Sequence, residues 1–110
     1  MSFQHKELAN GRWNEFTFVE QMANIGSEIE RSLNWRAKNN AAYSQKAFER
    51  ALELLDLTLD DVRNVKRLKE VARVREAAVD FFAGSNQFSS SDILWRKYFL
   101  PFTFAARRNR

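Results

Sequence analysis

Thr17-Phe18-Val19-Glu20-Gln21-Met22-Ala23-Asn24-Ile25-Gly26-Ser27-Glu28-Ile29-Glu30-Arg31-Ser32-Leu33 is the stretch that decides the fold. Its first four residues have capping-box form: the Thr17 hydroxyl can accept from the backbone N–H three residues on, while Glu20 reaches back to the cap. Phe18, Met22, Ile25, Ile29 and Leu33 then follow at spacings of four, three, four and four, one face of an α-helix. Glu20, Asn24, Ser27 and Arg31 make its polar face. The pattern predicts a helix over 17–38. Gly26 costs such a helix about 1 kcal/mol relative to Ala, so a close helix crossing is expected there.

Working outward, Asn39-Asn40 marks a turn. A second helix is expected over 41–57, with Phe48, Ala51, Leu52 and Leu55 inward and Glu49, Glu53 and Asp56 outward. Lys46 and Arg50 lie one turn from those carboxylates, so intrahelical pairing explains them. Residues 58–64 read as a connection in which Asp60 and Asp61 are available as caps. A third helix, 65–83, rests on Leu68, Val71, Ala72, Val79 and Phe82 and ends at Gly84. After a polar loop, Ser89-Ser90-Ser91-Asp92 starts a fourth helix, which Pro101 is expected to kink or break near Leu100. Residues 1–16, with Phe3 and Trp13, read as an N-terminal arm lying across a bundle formed by residues 17–110. Short connections between amphipathic helices favour antiparallel neighbours. The expected fold is all-α: an antiparallel up-down bundle of about four helices with an N-terminal arm.

Composition narrows the chemistry. The chain has 110 residues, 45% hydrophobic and 29% charged, with three Gly and one Pro. That suits one domain and is too apolar for a disordered chain. Without cysteine, disulfides, thiolate-bound zinc, iron–sulfur clusters and Cys nucleophiles are excluded. The first residues lack the apolar stretch of a secretory signal. The longest apolar run, 98–106, is far short of the roughly 20 residues a spanning helix needs. A cytoplasmic protein with no membrane partner is expected. The only histidine is His5, in the arm. Metal-binding helical patterns and a phosphate-cradling Gly-rich loop are absent, so no catalytic residue, metal or cofactor is assigned.

Charge carries the one clue to binding. Residues 1–57 hold seven Lys/Arg against eight Asp/Glu, a net of −1, whereas residues 58–110 hold eleven against six, a net of +5. The third helix bears a polar stripe of Lys66, Lys69, Arg73, Glu76 and Asp80, with Arg67 nearby. Its basic end is at the helix N-terminus, the reverse of what the macrodipole favours. A basic patch that meets phosphates or an acidic protein surface would account for this. Arg75 falls among Val71 and Val79, where it either makes an internal ion pair or holds an anionic ligand in a pocket. The fourth helix is apolar nearly all round. Trp95, Tyr98, Phe99 and Phe102 exceed one core stripe, so the arm or a second subunit is expected to cover the excess. A homodimer joined through them is the expected assembly.

The run Glu20-Gln21-Met22-Ala23-Asn24-Ile25-Gly26-Ser27-Glu28-Ile29-Glu30-Arg31 resembles a recurrent stretch in small uncharacterised bacterial helical proteins. So do Ala47-Phe48-Glu49-Arg50-Ala51-Leu52-Glu53-Leu54-Leu55-Asp56-Leu57-Thr58 and Arg67-Leu68-Lys69-Glu70. At the level of fold the chain is also similar to HEPN-like bundles, some of which cut RNA while others accompany nucleotidyltransferases. The catalytic HEPN pattern pairs an Arg with a His a few residues later on one helix, and no His lies in any expected helix here. Of the two roles, that resemblance implies the companion.

The expected function is a non-enzymatic interaction module. Lys66, Arg67, Lys69, Arg73 and Arg75 are its candidate contacts to nucleic acid or an acidic partner protein. Competing readings are a small enzyme with an anion pocket at Arg75 and a purely structural dimeric subunit.

Overall fold

Thr17 caps the first helix as its sequence requires. Its side chain accepts from the Glu20 backbone N–H at 3.2 Å, and the Glu20 carboxylate accepts from the Thr17 N–H at 2.9 Å. The computed structural model describes residues 11–108, so Phe3 and His5 of the arm lie outside the described residues. Four helices follow in order: α1 (Phe18–Ala37), α2 (Ala41–Asp60), α3 (Leu68–Ala83) and α4 (Asp92–Arg108). Short 3-10 turns precede α1 (Arg12–Glu15) and α3 (Val62–Arg67). No strand occurs among the described residues.

Residue pairs across the seams show that neighbouring helices run antiparallel. Along α1 and α2, Ser32 meets Ser44 and Glu28 meets Arg50. Phe48 and Asp56 of α2 meet Phe82 and Arg75 of α3. Glu70 and Phe81 of α3 meet Tyr98 and Trp95 of α4. Phe18 and Glu30 of α1 meet Phe102 and Arg96 of α4, which closes the up-down bundle. Asn40 caps α2 by accepting from Tyr43 N–H, after Asn39 reverses the chain at φ 61°, a left-handed conformation that Asn tolerates.

The core forms where the inward stripes converge: Met22, Ile25, Ile29 and Leu33 from α1, Phe48, Ala51, Leu54 and Leu55 from α2, and Trp95 and Phe99 from α4. Each of the Leu, Ile, Met and Phe side chains among them contributes about 1.5–3 kcal/mol on burial. Gly26 marks the close crossing expected of it. A Cβ placed there would lie 2.9 Å from Phe99 Cβ, Cγ and Cδ1. Ser32 and Ser44 allow a second close approach, each hydroxyl donating to the other's backbone carbonyl at 2.8 and 2.9 Å.

Several expectations are corrected. The second helix runs on to Asp60, and Glu53, expected outward, is buried at 9% exposure. The third helix begins at Leu68 because 62–67 winds as a 3-10 turn. Within α3 the buried stripe is Val71, Val74, Ala78 and Phe81, at spacings of three, four and three, and it leaves Val79 exposed at 36%. The fourth helix is not broken at Pro101. Pro101 is exposed, and Phe99 and Phe102 on either side pack inward.

Candidate interaction surface

The turn that carries the basic residues is fastened from beneath. Asp61, buried at its start, accepts from the backbone N–H and guanidinium of its neighbour Arg63 and from the Gln21 amide at 2.9 Å. Gln21, on α1, also donates to the Trp13 carbonyl and accepts from the Asn64 amide. That amide donates as well to the Thr58 carbonyl. The Trp13 indole donates to the Thr58 hydroxyl at 2.9 Å, and the hydroxyl donates to the Leu54 carbonyl. Arg63 finally reaches the Phe16 carbonyl at 2.7 Å. Two stretches distant in sequence, 13–21 and 54–64, are thus joined by one polar network with a buried centre. The Arg63 guanidinium beside Asp61 holds its carboxyl down at about 2, against the opposing effect of burial and with help from the Gln21 amide. A network of this kind stiffens what it supports, because breaking any member leaves buried partners unpaired.

Above it the turn presents an apolar and basic surface. Val62 and Val65 are 86% and 65% exposed, and Lys66, Lys69 and Arg73 are exposed beside them. None of these three cations has an ion pair among the described residues. Arg67 is held differently: it pairs with Glu70 at 3.3 Å and lies over the Phe18 ring at 4.9 Å. The inverted charge pattern of the third helix now divides in two. Its acidic end has a local reason, since Asp80 accepts from the Gln87 and Phe88 backbone N–H groups and fastens the loop before α4. Its basic end has none among the described residues.

Arg75 donates to Asp56 of α2 at 2.7 Å, both side chains being partly exposed. The internal pair foreseen for it exists, and the partner is a carboxylate of α2. The remaining candidates, on α4, face inward: Trp95 and Phe99 are buried in the chain's own core, and Phe102 packs against it. Tyr98 is half-buried and donates to Glu70 at 2.7 Å; burial and that hydrogen bond raise its hydroxyl pKa. The apolar residues that α4 does expose are Ile93, Leu94, Leu100 and Phe104. In the described part of the arm, Trp13 packs beside Phe16 against the end of α2.

Sequence reasoning named Lys66, Lys69 and Arg73 but missed Val62, Val65, Gln21 and Asn64. The two valines carried a signal, an apolar pair three residues apart inside a basic run. Among the described residues no group of three or more His, Asp or Glu is placed to hold a metal ion. Among the same residues no helix is long and apolar enough to cross a membrane. No protein-family model, curated protein or solved structure matches the chain.

Proposed function

We propose that this protein is a non-enzymatic binding module whose surface at 62–73 holds an acidic partner protein. The observation that carries the reading is the exposure of Lys66, Lys69 and Arg73, none of them ion-paired among the described residues, beside two exposed valines on a turn fixed by a buried polar network. Cations alone would suit phosphate equally well. The valines favour a protein, because an apolar centre with a charged rim is the anatomy of a protein interface. A fixed turn lowers the ordering cost that association must meet. The absence of cysteine supports a reducing, cytoplasmic setting.

The test compares the wild-type chain with Lys66→Glu/Lys69→Glu/Arg73→Glu and with Val62→Ser/Val65→Ser, each titrated with an acidic leucine-containing peptide and with a DNA duplex. All five positions are exposed, so both variants are expected to retain the fold, which circular dichroism checks. Charge reversal is expected to abolish peptide binding and the serine pair to weaken it several-fold. Tighter binding to the duplex, unaffected by the serines, would refute an acidic protein as the partner.

A further inference from the structure

The turn between α1 and α2 lies at the end of the bundle opposite the surface at 62–73, since α2 starts at the one and ends at the other. Along the 20 residues of α2, at about 1.5 Å each, the two are about 30 Å apart. From Arg31 to Phe48 the chain holds four cations, Arg31, Arg36, Lys38 and Lys46, and no carboxylate. Arg31 pairs with Glu28, whereas the other three are exposed and have no ion pair among the described residues. Aromatic rings are interleaved with them. Trp35 and Tyr43 meet edge to face across the turn, centroids 4.8 Å apart, and Tyr43 is 49% exposed. The Lys38 ammonium lies over the Trp35 ring at 5.3 Å and the Lys46 ammonium over the Tyr43 ring at 5.8 Å. Arg36 lies over Phe81 of α3 at 4.7 Å and borders a cleft of about 330 Å³ that Asn39 and Gln45 also line and that no carboxylate enters.

The carboxylates around this end leave the patch positive. Glu30 binds Arg96, and Asp80 accepts from the Gln87 and Phe88 N–H groups. Glu49, one turn beyond Lys46, and Asp92, in the first turn of α4, pair with none of the three cations. Between Asn34 and Lys46 no aliphatic side chain is larger than Ala, so the apolar centre that the valines supply at 62–73 is missing here, as is the greasy face of a membrane anchor. Rings and ammonium groups sharing one surface suit an unpaired strand, whose bases stack on aromatic faces while its phosphates meet the cations. We infer that the α1–α2 turn binds single-stranded nucleic acid, Trp35 and Tyr43 stacking bases and Arg36, Lys38 and Lys46 holding phosphates. A base laid on either ring takes the place of the ammonium above it, which moves to the adjoining phosphate. The inference is independent of an acidic partner at 62–73.

The probes are fluorescein-labelled oligothymidylate and oligouridylate of about 12 nucleotides, titrated with the full chain and read by anisotropy. A control strand carries the same phosphates on abasic sugars. Expected is quenching of tryptophan fluorescence, which reports Trp35 because Trp13 and Trp95 are buried. The abasic strand, and a hairpin duplex whose bases are not free to stack, should each bind roughly tenfold more weakly. Tyr43→Ser, at an exposed position, should weaken binding by roughly tenfold while the melting transition stays in place. Lys38→Gln/Lys46→Gln should flatten the slope of log affinity against log salt from about −2, for three phosphate contacts, to about −0.7. Lys66→Glu/Lys69→Glu/Arg73→Glu should leave binding within about twofold, the two ends being several Debye lengths apart. Binding of either strand in this pattern supports the inference. Equal binding of the abasic control, loss in the variant at 62–73 instead, or no binding at all would overturn it. So would tighter binding of an acidic leucine-containing peptide that Tyr43→Ser abolishes, which makes a protein the partner. Sedimentation with phosphatidylserine vesicles, lost in the same variant, would assign the turn to lipid and overturn it equally.

Discussion

Replacing Gly26 by Ala sets two effects of opposite sign against each other at one position. Alanine is the better helix former, and in an unhindered helix interior the change stabilises by about 1 kcal/mol. Position 26 is buried against α4, and the added methyl would sit 2.9 Å from three Phe99 atoms. Those atoms are the Cβ, Cγ and Cδ1 at the root of the side chain, so no rotation of the ring relieves the overlap. The helices must move apart instead. Overpacking of that kind costs about 1–3 kcal/mol. Steric strain outweighs propensity, and a net loss of about 1 kcal/mol is expected, near 5 °C in Tm for a domain of this size. Urea unfolding followed by far-UV circular dichroism measures it directly. In a Phe99→Ala background two of the three contacts vanish, and the penalty of the second change should shrink by about 1 kcal/mol. A Gly26→Ala protein as stable as the wild type, or more so, would refute the close crossing.

Acid should loosen the turn at 62–67. The Asp61 carboxyl titrates at about 2 when folded against 3.8 when unfolded, so the unfolded chain takes up its proton first. Its stabilisation, about 2 kcal/mol, is present above pH 4 and is lost as pH falls toward 2. The stability gap between wild type and Asp61→Asn, measured by urea titration at several pH values, should narrow over that interval. Trp13→Phe removes the donor to the Thr58 hydroxyl, whose own donation to Leu54 persists, and should destabilise by about 1–2 kcal/mol through the lost hydrogen bond and volume. Arg75→Met should change stability by less than about 1 kcal/mol, since both it and Asp56 are partly exposed, and a larger loss in thermal unfolding would show that the pair matters more than its solvation allows.

The helices were legible where one face is apolar and the other wet. In α1 the spacing, the cap and the glycine crossing all follow from neighbours within a few residues, and each occurs as expected. Legibility failed where the deciding partner is remote. Gln21, Thr58, Asp61 and Asn64 look like ordinary solvated residues until folding brings them together from separate segments. Glu53 likewise looks solvent-facing beside Lys46 and Arg50, yet it is buried. Pro101 does not end its helix, which runs on to Arg108 with Phe99 and Phe102 packed inward on both sides. For the candidate surface, composition disclosed the cations, while the exposure of Val62 and Val65 depended on the 3-10 winding, which periodicity alone does not reveal.

The polar cluster under the turn also bears on how the first two helices sit along their common seam. Their greasy stripes recur at every turn, so sliding one helix past the other by a turn would still cover apolar groups with apolar groups. Gln21 at the start of the first helix meets Asp61 and Asn64 just past the end of the second in one axial alignment. A slip of one turn, about 5 Å, would strand these groups in the interior at about 1–3 kcal/mol apiece. A handful of hydrogen bonds at one pole of the molecule thereby selects the axial alignment of the pair.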